Sequence, residues 1–184
     1  MNSSIFLNKT FRFAALASAF ALCAFGASSS FAAGATSNSS ATVIVPIAIT
    51  SSADLNFGKF APGGGGDVTV ATDGVRTASG PILSSVGSTP TAAAKFDVTG
   101  GNSATYGITW SGAAMLTDSV SSEAMALSKI SDLTAAGVTT GEVTSGELGA
   151  DGAQSIYLGG ELSVTSGQAN GTYIGDVTAT VEYN

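Results

Sequence analysis

The feature that most constrains this fold is a rhythm. From residue 41 onward, apolar and polar residues alternate in short runs, and Gly, Asn, Asp or Pro interrupts them about every 8–12 residues. Alternation of this kind puts every second side chain on the same face of a strand. Runs with helical periodicity are hard to find. The pattern predicts an all-β chain folded as an antiparallel sandwich or barrel.

The individual runs carry the detail. "ATVIVPIAIT" (41–50) reads as the first strand, with Val43, Val45, Ile47 and Ile49 on one face. Pro46 donates no ladder hydrogen bond, so the run is an edge, a bulge, or two segments meeting at Pro46. "DLNFGKF" (54–60) predicts a short strand with Leu55 and Phe57 inward, and "APGGGGD" (61–67) a loop. "VTVATDGVRTASG" (68–80) predicts a hairpin turned by Asp73-Gly74. "AAAKFDVTGGNSATYGITW" (92–110) predicts a second hairpin turned by Gly100-Gly101-Asn102. Residues 123–133 favour a strand through Met125, Leu127 and Lys129, and 139–152 an acidic glycine-rich loop. Residues 155–167 predict a strand kinked at Gly159-Gly160. The last strand places Tyr173, Gly175, Val177, Ala179, Val181 and Tyr183 on one face. No further strand follows in the sequence, so this strand is expected to want a neighbour.

Residues 1–32 read as a cleaved signal peptide. Lys9 and Arg12 precede an apolar run from Phe13 to Phe25, and Ser30-Phe31-Ala32 offers small residues at a cleavage site. Leu22 before Cys23 is too large for lipoprotein processing, so the one cysteine leaves with the signal. The expectation is an exported chain with a flexible lead at 33–40 and a single domain at 41–184. Four basic residues then face thirteen acidic ones, a net charge near −9. That balance disfavours nucleic acid and anionic membrane. No second apolar run is long enough to span a bilayer.

The chemistry available is limited. There is no histidine, and no cysteine after processing, so Ser-His and Cys-His nucleophiles are excluded. The acidic residues stand singly in turns and read as solvated. "GGGG" (63–66) lacks the Lys-Ser/Thr of a phosphate loop, and no Asp ladder for calcium exists. Trp110 and Tyr106 read as core rather than as a sugar platform. No enzyme, cofactor or metal is expected.

Three stretches together carry a family likeness. "ATVIVPIAIT…ADLNFGKF", "TAAAKFDVTGGNSATYGIT" and "ANGTYIGDVTATVEYN" resemble the bacterial family called domain of unknown function 4402. The best marks are Leu55-Asn56-Phe57-Gly58 and Gly171-Thr172-Tyr173 running to Tyr183-Asn184. The second is also similar to the close of chaperone–usher pilins and spore-coat-U-like secreted pilin domains. Those relatives carry a cysteine pair that this sequence lacks, so the likeness to them is one of fold.

The resemblance implies an exported, immunoglobulin-like (pilin-like) sandwich of surface structures without catalytic residues. Pilins of this kind lack a final strand, which a periplasmic chaperone and then the next subunit supply by β-strand addition. The expected partners are other copies or related subunits, with a chaperone and an outer-membrane usher in transit. The expected location is the periplasm and then the cell surface. Val43, Val45, Ile47 and Ile49 are the candidate donor or edge strand, and Tyr173, Val177, Val181 and Tyr183 belong to the C-terminal strand. The other reading is a self-contained secreted or periplasmic sandwich that binds a ligand or glycan through its loops.

Overall fold

A computed structural model describes residues 32–84 and 90–184. The signal-peptide expectation falls almost wholly outside these residues. The chain divides into two units, residues 1–42 and 43–184. Of the first, residues 32–42 are exposed and form no strand.

The second unit is all strand and loop among the described residues. Its strands are β1 (Ala48–Ala53), β2 (Lys59–Ala61), β3 (Gly66–Val70), β4 (Arg76–Ser79), β5 (Ile82–Ser84), β6 (Ala94–Thr99) and β7 (Thr105–Gly112). After them come β8 (Met115–Asp118), β9 (Ala124–Asp132), β10 (Ser145–Glu147), β11 (Ala153–Val164), β12 (Tyr173–Ile174) and β13 (Val177–Tyr183). Every pairing is antiparallel. One sheet has the order β1-β6-β11-β9-β8-β12, with β3 beside β11 and β4 beside β3. A second has the order β10-β7-β13, and β2 with β5 makes a separate ribbon. This is the antiparallel β-sandwich class that the alternation predicts.

Two strands pass between the sheets. β7 pairs with β13 in the small sheet, and their continuations β8 and β12 pair in the large one. The chain bends at Ala113, whose N–H donates to the Asp176 carbonyl at 2.6 Å. The strand expected over 173–183 is therefore two pieces with one inward face: Ala179 and Val181 are buried while Thr178, Thr180 and Glu182 are exposed.

The structure corrects the second hairpin. Residues 92–110 are not a hairpin: β6 pairs with β1 and β11, whereas β7 pairs with β10 and β13. The Gly100–Ser103 turn arches from one sheet to the other. The arch wins because it brings Val98, Tyr106 and Ile108 face to face in one core cluster. β11 runs unbroken through Gly159-Gly160 and changes partner there, from β6 to β3. By contrast, the Asp73-Gly74 hairpin forms as expected between β3 and β4, and 124–132 is a strand with Met125 and Leu127 buried.

The core has two parts. One contains Phe57, Val68, Val70, Met125, Leu127, Leu162 and Val164. The other contains Val98, Tyr106, Ile108, Leu148, Ile156 and Val181. Each fully buried Leu, Ile or Val contributes about 1.5–3 kcal/mol. Half-buried Trp110 lies edge-on to Phe96, with ring centroids 5.9 Å apart, and its indole N–H donates to the Val143 carbonyl at 3.1 Å. The only tryptophan thus ties β7 to β6 and to the 143 loop, as the core reading expects.

Candidate strand-acceptor groove

The sandwich is not stitched shut between β1 and β13. β1 pairs only with β6, and β13 only with β7, so each has one edge without a strand partner among the described residues. At one end the two edges are tied together. The Tyr183 hydroxyl donates to the Val45 carbonyl at 2.9 Å and accepts the Gly101 N–H at 2.6 Å. At the other end they part around a cleft of about 910 Å³. Its floor is the first core cluster, including Met125, Leu127, Leu162 and Val164, and Phe96 and Ala94 extend it toward β1. The apolar floor faces a gap where a covering strand would lie.

The first wall is residues 54–60. Asn56 pairs with Ala92 through both backbone groups, at 2.8 and 3.1 Å, and its side-chain oxygen accepts the Gly58 N–H at 2.7 Å. That turn puts Gly58 at φ 66°, and a Cβ there would stand 2.7 Å from an Arg76 nitrogen. A side chain there is strained by conformation and would have to displace the Arg76 guanidinium. The turn drives Phe57 into the first core cluster, where it is 7% exposed, with Leu55 and Phe60 packed beside it. Arg76 fastens the wall from outside. Its guanidinium donates to the carbonyls of Phe57 at 2.6 Å, Lys59 at 3.0 Å and Ser84 at 3.2 Å. The Leu55-Asn56-Phe57-Gly58 mark is therefore the wall's own folding code.

The second wall is residues 168–177, held by two carboxylates from the β8–β9 turn. Buried Asp118 accepts the N–H groups of Ser121 at 2.7 Å, Val120 at 3.2 Å and Thr172 at 3.1 Å, and the Ser121 hydroxyl at 2.8 Å. These donors, Ser121 foremost, hold its carboxyl below the usual aspartate range. Glu123 accepts the Ala169 N–H at 2.8 Å and the Gln168 amide at 3.1 Å. The Tyr173 hydroxyl accepts from the same Gln168 amide at 2.9 Å and donates to the Ala169 carbonyl at 2.9 Å. Both carboxylates spend their lone pairs on positioning a loop.

The residues singled out by sequence are divided by the structure. Val43 is 95% exposed and Val45 59%, with Ile44 at 66% between them. Ile47 and Ile49 are half-buried against the second core cluster. The expected common face therefore breaks at Pro46, and β1 begins two residues later. Tyr173 and Val177 line the groove, Val181 is buried, and Tyr183 closes the far end. Asp118, one of the acidic residues expected to be solvated in turns, is instead buried and bonded to three backbone N–H groups, and Arg76 and Glu123 carry no cue of their own in the sequence. The Asp118-x-x-Ser121 spacing, an Asx-type turn signal, was the cue for Asp118.

The family profile described as Domain of unknown function (DUF4402) matches residues 47–183. The chain belongs to that family. The matched span runs from Ile47, just after Pro46, to Tyr183, and so covers the sandwich with both groove walls. No curated protein matches the chain.

Proposed function

We propose that this DUF4402 chain is a non-enzymatic, exported structural subunit of a fimbria-like cell-surface assembly, joined by β-strand complementation. The observation that carries the reading is the apolar groove beside the unpaired edge of β13, together with an exposed apolar run at Val43–Val45. The groove is the acceptor, and the segment ending at Ile44 is the donor to a second copy or a related subunit. A periplasmic chaperone holding the groove in transit and an outer-membrane usher fit the same chemistry, as does an N-terminal signal peptide.

The magnitudes are adequate. Burial of Val43 contributes roughly 1.5–3 kcal/mol at most. Each ladder hydrogen bond to β13 adds about 1 kcal/mol net.

Connectivity favours a neighbour over the chain's own segment. Val45 is tied to Tyr183 at the closed end. A segment folded back from there would lay its polar residues, 37–40, over the widest apolar part of the groove. A neighbour's segment, free up to Ile44, enters from the open end with Val43 over the apolar floor. The match of apolar to apolar in that orientation supports donation.

The test is expression of residues 33–184 and of a chain starting at Val45, which keeps β1 whole. Strand exchange gives heat-labile, detergent-resistant multimers from the longer chain only. A peptide of residues 36–45 binds the shorter chain and raises its melting temperature. A longer chain that stays monomeric at high concentration, with a shorter chain indifferent to the peptide, overturns the proposal and leaves a self-contained sandwich.

A further inference from the structure

We infer that Tyr183 fixes the point at which the donor segment leaves the subunit, so that the donor ends at Ile44 and neighbouring subunits are joined without a slack linker; this rests on the strand-exchange reading. The hydroxyl is held from two sides. It accepts the Gly101 N–H at 2.6 Å and donates to the Val45 carbonyl at 2.9 Å. The seat of the ring is built for it: a Cβ on Gly100 would collide with the hydroxyl and with Leu148. On the other side of Val45, Pro46 restricts the backbone, and Ile47 and Ile49 pack into the second core cluster.

Freedom therefore begins abruptly. Ile47 is half-buried, the Val45 carbonyl is bonded, and Ile44 and Val43 are exposed. A flexible linker between two domains needs several unanchored residues to decouple their orientations. Here none lies between the anchored carbonyl and the first apolar donor residue. Tyr183 is thus a positioning residue. It touches no partner itself and acts through the carbonyl that it holds.

The full chain carrying Cys23→Ser and Ile44→Cys offers a single thiol for a spin label. In that chain Tyr183→Phe is expected to raise label mobility, shifting the ratio of held to free segment about fivefold, the equilibrium factor of one ordinary hydrogen bond. A label at Val120→Cys, itself 91% exposed, is expected not to respond. Fibres of the Tyr183→Phe chain are expected to form yet to bend more than the parent's by electron microscopy. Identical label spectra with and without the hydroxyl overturn the inference. If Tyr183→Phe does not fold, amide exchange in the parent decides: slow exchange at the Gly101 N–H supports the anchor and fast exchange overturns it. Absence of multimers from the parent counts against strand exchange alone, because the label and the amide still report on the anchor.

Discussion

Tyr106 and Tyr183 are directly opposed in the β7–β13 register, yet removing the hydroxyl from each is expected to have opposite effects. Tyr106 is fully buried and its hydroxyl has no hydrogen-bond partner among the described residues. Burial also raises its pKa, so it stays a neutral phenol. An unsatisfied buried polar group costs about 1–3 kcal/mol. Tyr106→Phe removes that cost and leaves a gap smaller than a methyl group, worth under about 1 kcal/mol. The net expectation is a gain of about 1 kcal/mol, or roughly 2–4 °C in Tm for a domain of this size. Tyr183 is the reverse case, with two hydrogen bonds at about 0.5–1.5 kcal/mol each. Tyr183→Phe is expected to lose roughly 1–2 kcal/mol, since the freed backbone groups lie near water. Urea unfolding of both variants, with the slope unchanged, measures the difference, and the double variant shows whether the neighbours couple. A destabilised Tyr106→Phe, or two shifts of the same sign, refutes the hydrogen-bond assignment.

Val43→Asp is expected to abolish multimers while leaving the monomer's stability within about 0.5 kcal/mol, because the residue is exposed and unpaired in the isolated chain; size-exclusion chromatography and melting read the two effects. Gly100→Ala forces a methyl against the Tyr183 hydroxyl and Leu148, and a loss of about 1–3 kcal/mol in chemical unfolding is expected. Asp97 is held at a pKa of about 2 by Lys95, 2.9 Å away, and then by Ser155 and Ser52. Its depressed value means that the stabilisation is complete above the ordinary aspartate pKa and disappears as pH falls from about 4 toward 2. Both side chains are more than a third exposed, so the effect stays below about 1 kcal/mol; an NMR titration of Lys95→Met should move Asp97 back toward the ordinary aspartate range.

The strand class and the inward face of the last strand were legible because both depend on period-2 alternation, which is local. Tyr173, Val177, Val181 and Tyr183 do share a face, even though Gly175 and Asp176 break the strand into two pieces. What stayed hidden was partnership. Gly100-Gly101-Asn102 carries hairpin chemistry, but two flanking strands that both need to bury residues can face each other across a core instead of pairing edge to edge. Val98 and Tyr106 do so. The groove was hidden for the same reason: its walls come from residues 54–60 and 168–177, over a hundred positions apart. Arg76 was invisible because all three of its partners are backbone carbonyls, which carry no sequence signal.

Ser39 separates donation from self-completion more sharply than any residue in the groove itself. It shares strand parity with Val43 and Val45. If the segment folds back on its own sandwich, the reversal occurs next to the Val45–Tyr183 tie, and residues 37–40 run beside residues 51–54 at the wide apolar end. Leucine at 39 then fills space over that floor, and Ser39→Leu raises the monomer's stability by up to about 1.5–3 kcal/mol. If the segment enters a neighbour from the open end, Val43 takes the wide part, and Ser39 sits about 13 Å deeper, where β1 and β13 converge. Leucine there is too large, overpacking costs about 1–3 kcal/mol, and the yield of multimer falls at least several-fold. The monomer's melting does not move, because residue 39 is exposed in it. The same substitution therefore strengthens one arrangement and obstructs the other, and a melting curve beside a chromatogram reads which arrangement the chain uses. A stabilised monomer with undiminished multimers refutes the taper on which the donor's direction rests.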